Sequence, residues 1–282
     1  MFMFRLITII SLVLFGFSSH ALDITNKFMS NFNSYLSDKF PTAEIGLSTG
    51  VTNEVTGSIL FVKPLTDLND NENIMFTQGS LFLSDDNRET INLGFGNRKL
   101  VNDEKLLIGY NLFYDHEIDY DHQRASIGIE AISSVGSLRA NQYYGLSGWK
   151  TGLDNIQEKA LNGNDIELGM PLPYLPWTNL SYRSFNWDGA SGAADQKGDE
   201  MSLEAKLSGF NIEVGKRSHD GTTEDAEYLK LTWTCCNNSN NEVGLSDTAY
   251  NLTSVADQKF AKVRRQNLIV KQKEMSLTVI GF

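Results

Sequence analysis

The chain has few cysteines, no excess of basic residues and no apolar run of membrane-spanning length after its first residues. Its 2 cysteines are the neighbours Cys235 and Cys236, which cannot form a long-range disulfide with each other. We assign them no role. The 24 basic residues stand against 35 acidic ones, and the resulting net charge of −11 argues against a nucleic-acid partner.

The first residues have the pattern of a cleaved export signal. Arg5 precedes an apolar run over 6–17, and Ser19 and Ala21 supply the small residues that a signal peptidase reads. About twelve apolar residues are too few to cross a bilayer, which needs roughly twenty. We therefore expect residues 1–21 to be a signal peptide and the mature chain to leave the cytoplasm. A membrane is not excluded for the rest, because barrel strands carry a weak apolar signal.

From about residue 44 onward, apolar and polar residues alternate with a period of two, which is typical of β-strands. In one such segment Ile91, Leu93 and Phe95 share one face, whereas Asn92 and Gly94 share the other. About twelve segments of this kind are evenly spaced, and they are centred near residues 47, 59, 79, 93, 110, 127, 141, 167, 182, 204, 213 and 230. Short and long connections alternate between them. Both patterns predict an all-β, antiparallel transmembrane barrel over 44–236.

The polar faces of these segments carry glycine, asparagine and charges of both signs, which suits a crowded aqueous lumen. Because positive and negative charges occur at similar depth, bracing between strands is favoured over a selectivity filter. The residues that we assign to this lumenal, structural role are Asp115, Arg124, Glu130, Arg139, Glu167, Arg183, Glu204 and Arg217. Aromatic residues near strand ends are expected in an interfacial girdle, namely Trp149, Trp177, Trp187, Trp233, Tyr143, Tyr144 and Tyr174.

Two segments lie outside the predicted strands. Residues 24–40 place aromatic and leucine side chains at helical intervals, which predicts a short amphipathic helix within an N-terminal segment over 22–43. Residues 237–282 begin with a polar linker. The stretch from Asp247 to Arg265 is consistent with a helix in the barrel lumen or with a disordered tail.

The stretch YNLFYDHEIDYDHQR, which ends at Arg124, is rich in metal-ligating and acid–base residues. It could be a metal site, an acid–base pair or only a solvated turn. A four-residue loop over 118–121 opposes Asp115 to Arg124 and places His116 and His122 on opposite faces, which disfavours a metal clamp. An ion pair between Asp115 and Arg124 at the outer rim of the lumen is the better interpretation. This ion pair contributes about 1 kcal/mol or less to stability if it is exposed to solvent, and more if it is partly buried.

No pattern in the chain is typical of an enzyme. Gly-x-Ser-x-Gly and His-Glu-x-x-His are both absent from the sequence. We expect no catalytic residue, no bound metal and no cofactor.

Several ordered motifs resemble the translocator domain of the intimin/invasin family, the inverse autotransporters. The motifs are MFTQGSLFLSDDNRETINLGFGNRKL, LLIGYNLFYDHEIDYDHQRASIGIEA, LRANQYYGLSGWK, NGNDIELGMPLPYLP and VRRQNLIVKQK. The resemblance runs in order from about residue 44 to residue 273. The resemblance implies a twelve-stranded outer-membrane barrel whose chain re-enters the lumen after the last strand, commonly as a helix, and emerges at the cell surface with a passenger.

The resemblance also implies partners. These are outer-membrane lipid, including lipopolysaccharide, the barrel-assembly machinery and periplasmic chaperones. Since few residues follow the last motif, we expect the adhesive passenger to be absent, and contact with a host or another cell would require one. The favoured function is a translocator that anchors and exports its C-terminal segment. The alternatives are a self-standing outer-membrane pore plugged by that segment and a secreted β-sandwich adhesin.

Overall fold

The period-two segments of the sequence form β-strands in a computed structural model, which describes residues 40–50, 55–84, 87–220, 225–235 and 243–274. The strands of these residues are β1 (Thr42–Gly50), β2 (Val55–Pro64), β3 (Ile74–Leu83), β4 (Glu89–Val101), β5 (Leu106–Glu117), β6 (His122–Ser133), β7 (Gly136–Gly145), β8 (Lys150–Thr151), β9 (Gln157–Ala160), β10 (Gly163–Leu172), β11 (Leu175–Trp187), β12 (Gln196–Leu207), β13 (Phe210–His219), β14 (Ala226–Cys235) and β15 (Lys271–Lys273). The expected signal peptide and N-terminal helix, apart from Phe40, lie outside the described residues, as does Cys236.

All strands except β8, β9 and β15 close into one antiparallel barrel, in which β1 pairs with both β2 and β14. Closure leaves no unpaired strand edge. The predicted barrel of about twelve strands is confirmed. No helix in the described part of the chain is both long and apolar enough to cross a membrane.

The outer wall of the barrel is apolar and its interior is polar. Leu93 and Ile129 point outward and are 60% and 61% exposed, whereas Arg98 and Arg124 point inward and are fully buried. This is the reverse of a soluble sandwich, whose apolar faces pack against each other. The wall therefore suits contact with lipid, and the secreted sandwich is the wrong interpretation.

The two ends of the barrel differ in their connections. At one end, here called the turn mouth, the connections are 65–73, 102–105, 134–135, 173–174 and 208–209. At the other end, the loop mouth, the connections between described strands are 84–88, 118–121, 146–162, 188–195 and 220–225. The 65–73 connection is the long exception at the turn mouth.

Residues 255–274 cross the lumen from one mouth to the other, and they are here called the lumenal segment. The backbone N–H of Val255 donates to the carbonyl of Glu104 at the turn mouth. At the loop mouth the N–H of Leu161 donates to the carbonyl of Val270, and β15 pairs with β9 in a three-stranded sheet that also contains β8. The C-terminal segment therefore threads the lumen.

Of the two alternatives considered for Asp247 to Arg265, the lumenal helix is wrong. The stretch has no regular secondary structure apart from a 3-10 turn over Ala256–Gln258. A helix would direct its carbonyls to its own N–H groups, but here Arg98 and Arg124 of the barrel wall donate to carbonyls of the segment. The lumenal arginines thus take the place of a helical hydrogen-bond ladder.

Apolar side chains pack against the lumenal segment near each mouth. Near the turn mouth, residues of β2 to β6 pack against the segment in a cluster of Leu60, Val62, Ile74, Phe76, Leu100, Leu107, Phe113, Ile132, Val255, Phe260 and Val263. At the loop mouth Val270 packs against a cluster that contains Tyr143 and Trp187. Both of these aromatics point inward and are buried, so placing them in an interfacial girdle was wrong. Tyr144 and Tyr174, by contrast, are about half exposed.

Glycine makes room for two of the packed rings. A side chain at Gly94 would collide with the ring of Phe113, and one at Gly96 would collide with the ring of Phe76. Both glycines lie on the inward face of β4, where neighbouring strands contribute the rings. The small residues of this strand therefore allow the lumen to be filled.

Candidate functional site in the barrel lumen

The hairpin between β5 and β6 has the register that the sequence predicts. Asp115 and Arg124 are opposite residues, and a loop over 118–121 connects their strands. Arg124 Nε donates to Asp115 Oδ2 at 2.9 Å, and both side chains are 0% exposed. The pair therefore lies in a fully enclosed environment and not at a wet rim. Removing one partner of such a pair leaves an uncompensated buried charge.

Asp115 also binds the lumenal segment. Arg265 donates to both oxygens of this carboxylate, at 2.8 and 2.6 Å, and to Ser126 Oγ at 3.0 Å. Its guanidinium lies over the ring of Phe113, 4.4 Å from the centroid. One carboxylate of the wall thus holds two arginines, one from the wall and one from the segment. Bidentate pairs of this kind fix geometry as well as contributing energy.

The wall arginines hold the segment by its backbone. Arg124 donates to the carbonyls of Gln266 and Leu268 at 2.6 and 3.1 Å. Nearer the turn mouth, Arg98 donates to the carbonyls of Lys259 and Ala261 at 3.0 and 2.7 Å. These contacts reach backbone oxygen, which every residue type provides.

Arg264, the neighbour of Arg265, points to a different part of the wall. It lies 2.9 Å from Glu167, 3.3 Å from Glu204 and 3.5 Å from Glu213. The two arginines therefore connect opposite sides of the barrel through one short piece of the segment.

The other predicted lumenal charges also find partners in the interior. Glu130 accepts from Arg98 at 2.7 Å, and Arg139 donates to Glu167 at 3.0 Å. Arg183 and Arg217 do not pair with any predicted residue. Both bind Glu200, at 2.7 and 2.6 Å.

Sequence reasoning missed Glu200 and the two arginines of the segment. Glu200 lies on the same face of β12 as Glu204, four residues away, so the period-two pattern could have identified it. Arg264 and Arg265 stand in the VRRQNLIVKQK motif, but their wall partners come from strands distant in the chain. Only the threaded path of the segment reveals those pairs.

A second charged cluster joins the loop mouth to the end of the segment, and we call it the mouth clasp. It consists of Arg88, Glu117, Glu158, Lys271 and His122. Arg88 donates to both oxygens of Glu158, at 2.6 and 3.0 Å, and Lys271 donates to Glu117. Burial raises the pKa of Glu158, but the Arg88 hydrogen bond and charge outweigh it and hold the pKa below 4.5. The clasp therefore joins the 84–88 and 146–162 connections and the ends of β5 and β6 to β15.

Three members of the clasp have the chemistry of metal ligands. One ligand atom each of Glu117, His122 and Glu158 lies within 4.8 Å of the others. However, Arg88 and Lys271 already neutralise both carboxylates. A divalent ion would have to displace a buried guanidinium from a bidentate pair, which is costly. The arrangement therefore favours ion pairing over metal binding.

A closed barrel with an apolar outer wall, a charged interior and a threaded C-terminal segment defines an integral β-barrel of the outer-membrane type. Residues 17–267 match the family model described as the inverse autotransporter β-domain. This match covers most of the sequence, and the chain belongs to that family.

Individual relatives agree with this assignment. The chain is 31% identical over 169 residues to intimin of Escherichia coli O111:H-, a match that covers 58% of this chain and 17% of intimin. It is 34% identical over 108 residues to the inverse autotransporter adhesin YeeJ of Escherichia coli K12, covering 37% of this chain and 4% of YeeJ. The chain spans less than half the length of the curated relatives that it matches.

One solved structure shares the fold. Its description reads "Unveiling the Mechanism Behind the in-meso Crystallization of Membrane Proteins". The two structures align with a TM-score of 0.69, and their sequences are 19% identical. The alignment covers 83% of this chain and 100% of that one. At this identity, the likeness concerns the barrel architecture alone.

Proposed function

We propose that this barrel anchors and translocates its own C-terminal segment from the periplasm to the cell surface, with the loop mouth facing outward. The observation that carries the proposal is the course of residues 255–274, which enter at the turn mouth and leave at the loop mouth. A path of this direction delivers whatever follows Glu274 to the side of the long loops. In outer-membrane barrels the long loops are external and the short turns are periplasmic.

The contacts of the lumenal segment suit a chain that first slides through the barrel and is then held at one position. Arg98 and Arg124 bind backbone carbonyls, so an extended chain of any sequence offers them equivalent partners as it passes. Arg264 and Arg265 instead bind carboxylates of the wall through their side chains. We infer that backbone contacts guide the chain and that the two arginines fix its final register.

The remaining parts of the proposal follow from the family. Residues 1–21 direct export and are removed, and the segment from residue 22 to the start of β1 at Thr42 is periplasmic. Periplasmic chaperones and the barrel-assembly machinery insert the barrel, whose outer wall contacts membrane lipid. The domain acts without catalysis, and contact with another cell belongs to a passenger.

Surface labelling tests the direction of the path. An epitope placed after Phe282 should be accessible to antibody in intact cells, because the segment leaves through the loop mouth. The matched control is the same epitope in the 208–209 turn, which should be protected until the outer membrane is opened. Protection of the C-terminal epitope in intact cells would contradict export.

The lumen also supports a second candidate function, a self-standing barrel plugged by its own segment. Apolar clusters pack against the segment near both mouths, and a charged layer lies between them. Deletion of residues 243–282 should then produce stable single-channel conductance in planar bilayers, whereas the intact barrel should conduct little. A surface-exposed epitope favours translocation, and a protected epitope with strong conductance of the deleted barrel favours the plugged barrel.

A further inference from the structure

The β8–β9 hairpin presents a strand edge at the loop mouth, and the lumenal segment binds to it. β8 pairs with one edge of β9, and β15 occupies the other edge. The N–H of Leu161 donates to the carbonyl of Val270, and the N–H of Glu274 donates to that of Gln157. A strand edge accepts an extended chain of any sequence through its backbone groups. Selectivity for one sequence must therefore come from side chains.

The hairpin has support that does not involve the segment. Glu158 of β9 is fully buried, and Arg88 donates to both of its carboxylate oxygens at 2.6 and 3.0 Å. Within the hairpin, the N–H of Gly152 donates to the carbonyl of Ile156 at 2.7 Å. The segment thus adds a strand to a hairpin that the barrel itself holds in position.

Gln272, at the centre of β15, connects the segment to a second connection of the loop mouth. Its Oε1 accepts from the N–H of Ala190 at 2.8 Å, and its Nε2 donates to the carbonyl of the same residue at 3.3 Å. Among side chains of this length, a carboxamide alone carries a donor and an acceptor side by side, because an ammonium cannot accept and a carboxylate cannot donate. Ala190 lies in the 188–195 connection. β15 is therefore held between β9 and this connection.

Lys271 pairs with a buried carboxylate of the barrel wall. Its ammonium donates to Glu117, whose side chain is 3% exposed. Arg88 is shared between Glu117 and Glu158, so without the lysine two buried carboxylates would share one cation, which is costly. The three residues of β15, Lys271–Lys273, are here called the mouth triplet. A chain without a lysine at the first position of the triplet therefore fits this place poorly.

A slip of the chain out of the lumen, towards the loop-mouth side, breaks both side-chain contacts. Since side chains alternate along a strand, only a slip by an even number of residues keeps the same faces. An outward slip by two residues replaces the first two members of the mouth triplet by Ile269 and Val270. The isoleucine offers no charge to Glu117, and the valine side chain offers no hydrogen bond to Ala190.

A slip in the other direction costs less. Moving inward by two residues places Lys273 beside Glu117, which keeps an ammonium partner. Glu274 then lies beside Ala190, where its carboxylate accepts from the N–H but cannot donate to the carbonyl. The mouth triplet therefore defines one register, and it opposes movement out of the lumen more strongly than movement into it.

We propose that β9, Glu117 and Ala190 form a strand-binding site that selects the mouth triplet. The ligand is an extended chain with a lysine followed by a glutamine, supplied here by the barrel's own segment. Arg264 and Arg265 hold the segment within the lumen, and this site holds it at the loop mouth. A role as a stop during export rests on the proposed translocation, because an outward pull on the exported chain then meets the unfavourable slip. The binding itself does not depend on export.

Disulfide trapping combined with an insertion tests the selectivity in the purified full-length barrel. Cysteines are introduced by Gln157→Cys and Glu274→Cys, at two positions joined by a backbone hydrogen bond across β9 and β15. Such positions have Cα atoms about 5.5 Å apart, which a disulfide can bridge. Two serines are then inserted between Leu268 and Ile269. If the site selects the mouth triplet, the serines bulge into the adjacent cavity of about 100 Å³, and the cysteines cross-link as fast as without the insertion.

If the lumenal arginines alone set the register, the insertion moves position 274 along β9 by two residues, about 7 Å, and out of reach of a disulfide. The matched control carries Lys271→Leu and Gln272→Leu. Without the insertion this control should still cross-link, because the lumenal arginines keep its register. With the insertion its rate of cross-linking should fall at least ten-fold. All of these proteins carry Cys235→Ser and Cys236→Ser, so that the introduced cysteines react only with each other.

Two outcomes would overturn the proposal. One is a ten-fold loss of cross-linking in the insertion variant that keeps the mouth triplet, and the other is undiminished cross-linking in the insertion variant with the two leucines. The mobility shift of the unheated barrel on gel electrophoresis verifies that each variant is folded. Because trapping is measured in detergent, its result does not depend on which mouth faces outward in the cell. Failure of the strand-binding site is thus distinguishable from failure of the epitope test.

Discussion

Replacing Arg265 by methionine should loosen the lumenal segment, because the guanidinium binds both oxygens of a fully buried wall carboxylate. The variant loses two hydrogen bonds to Asp115 and one to Ser126, all in a fully buried environment. Breaking a buried ion pair by removing one partner costs about 3 to 5 kcal/mol. Since Arg124 still pairs with Asp115, we expect the lower end, about 3 kcal/mol.

Amide hydrogen exchange measures this loss of stability within the lumenal segment itself. The backbone N–H of Val263 donates to Gln78 Oε1, and that of Gln266 donates to Tyr143 Oη, so both amides are protected only while the segment is seated. A change of about 3 kcal/mol corresponds to exchange roughly 100-fold faster at these two amides. Amides at the centres of the barrel strands should keep their protection.

An exposed ion pair supplies the control for Arg265. Lys150 donates to Asp121 at 2.7 Å, and this contact lowers the pKa of Asp121 to about 2, but both side chains face solvent. Replacing Lys150 by methionine should therefore leave the exchange of the segment unchanged. An increase of less than ten-fold in the Arg265 variant would refute the view that a buried, bidentate pair seats the segment.

Three further perturbations probe other parts of the fold. The substitution Gly96→Val should reduce the yield of folded barrel on unheated gels, because its side chain collides with Phe76, and a second substitution of Phe76→Ala should restore it. The pKa of Glu158 is below 4.5 in the folded state, so its stabilising effect is complete above pH 4.5 and is lost as the pH falls through the lowered value. The protection factor of the β9 amides, which corrects for the intrinsic pH dependence of exchange, should accordingly fall on acidification below pH 4.5 in the wild type, whereas that of Glu158→Gln, which weakens the pair with Arg88, should be low both above and below pH 4.5. The substitution Arg124→Ala should lower the thermal or detergent stability of the barrel, and an unchanged midpoint would argue against the pair with Asp115 as a stabilising contact.

The barrel wall was predictable because its signals are local. Alternation along each strand defines which side chains face lipid, and the distance between turn residues defines where strands end. The Asp115 and Arg124 register followed from the same rule, since a one-residue slip would turn every side chain to the other face. The burial of that pair was not predictable, because it depends on what fills the lumen above it.

The aromatic residues Tyr143 and Trp187 also show that a local sequence signal can mislead about burial. Position near a strand end predicted an interfacial girdle for Tyr143 and Trp187, but their inward register places them within the loop-mouth cluster. Odd and even positions were available from the sequence, and they distinguish Tyr143 from its neighbour Tyr144. Proximity to a strand end alone was therefore a weaker guide than register.

By itself, the sequence determined the number of strands, the side of the wall that faces lipid and the family motifs. Each of these depends only on the order and spacing of residues that are close together in the chain. Only the tertiary structure decided the form of the C-terminal segment and the partners of Arg264 and Arg265. The segment accepts backbone hydrogen bonds from Arg98 and Arg124, which are over a hundred residues away in the sequence. No local propensity encodes such partners, since they exist only when the barrel closes around the segment.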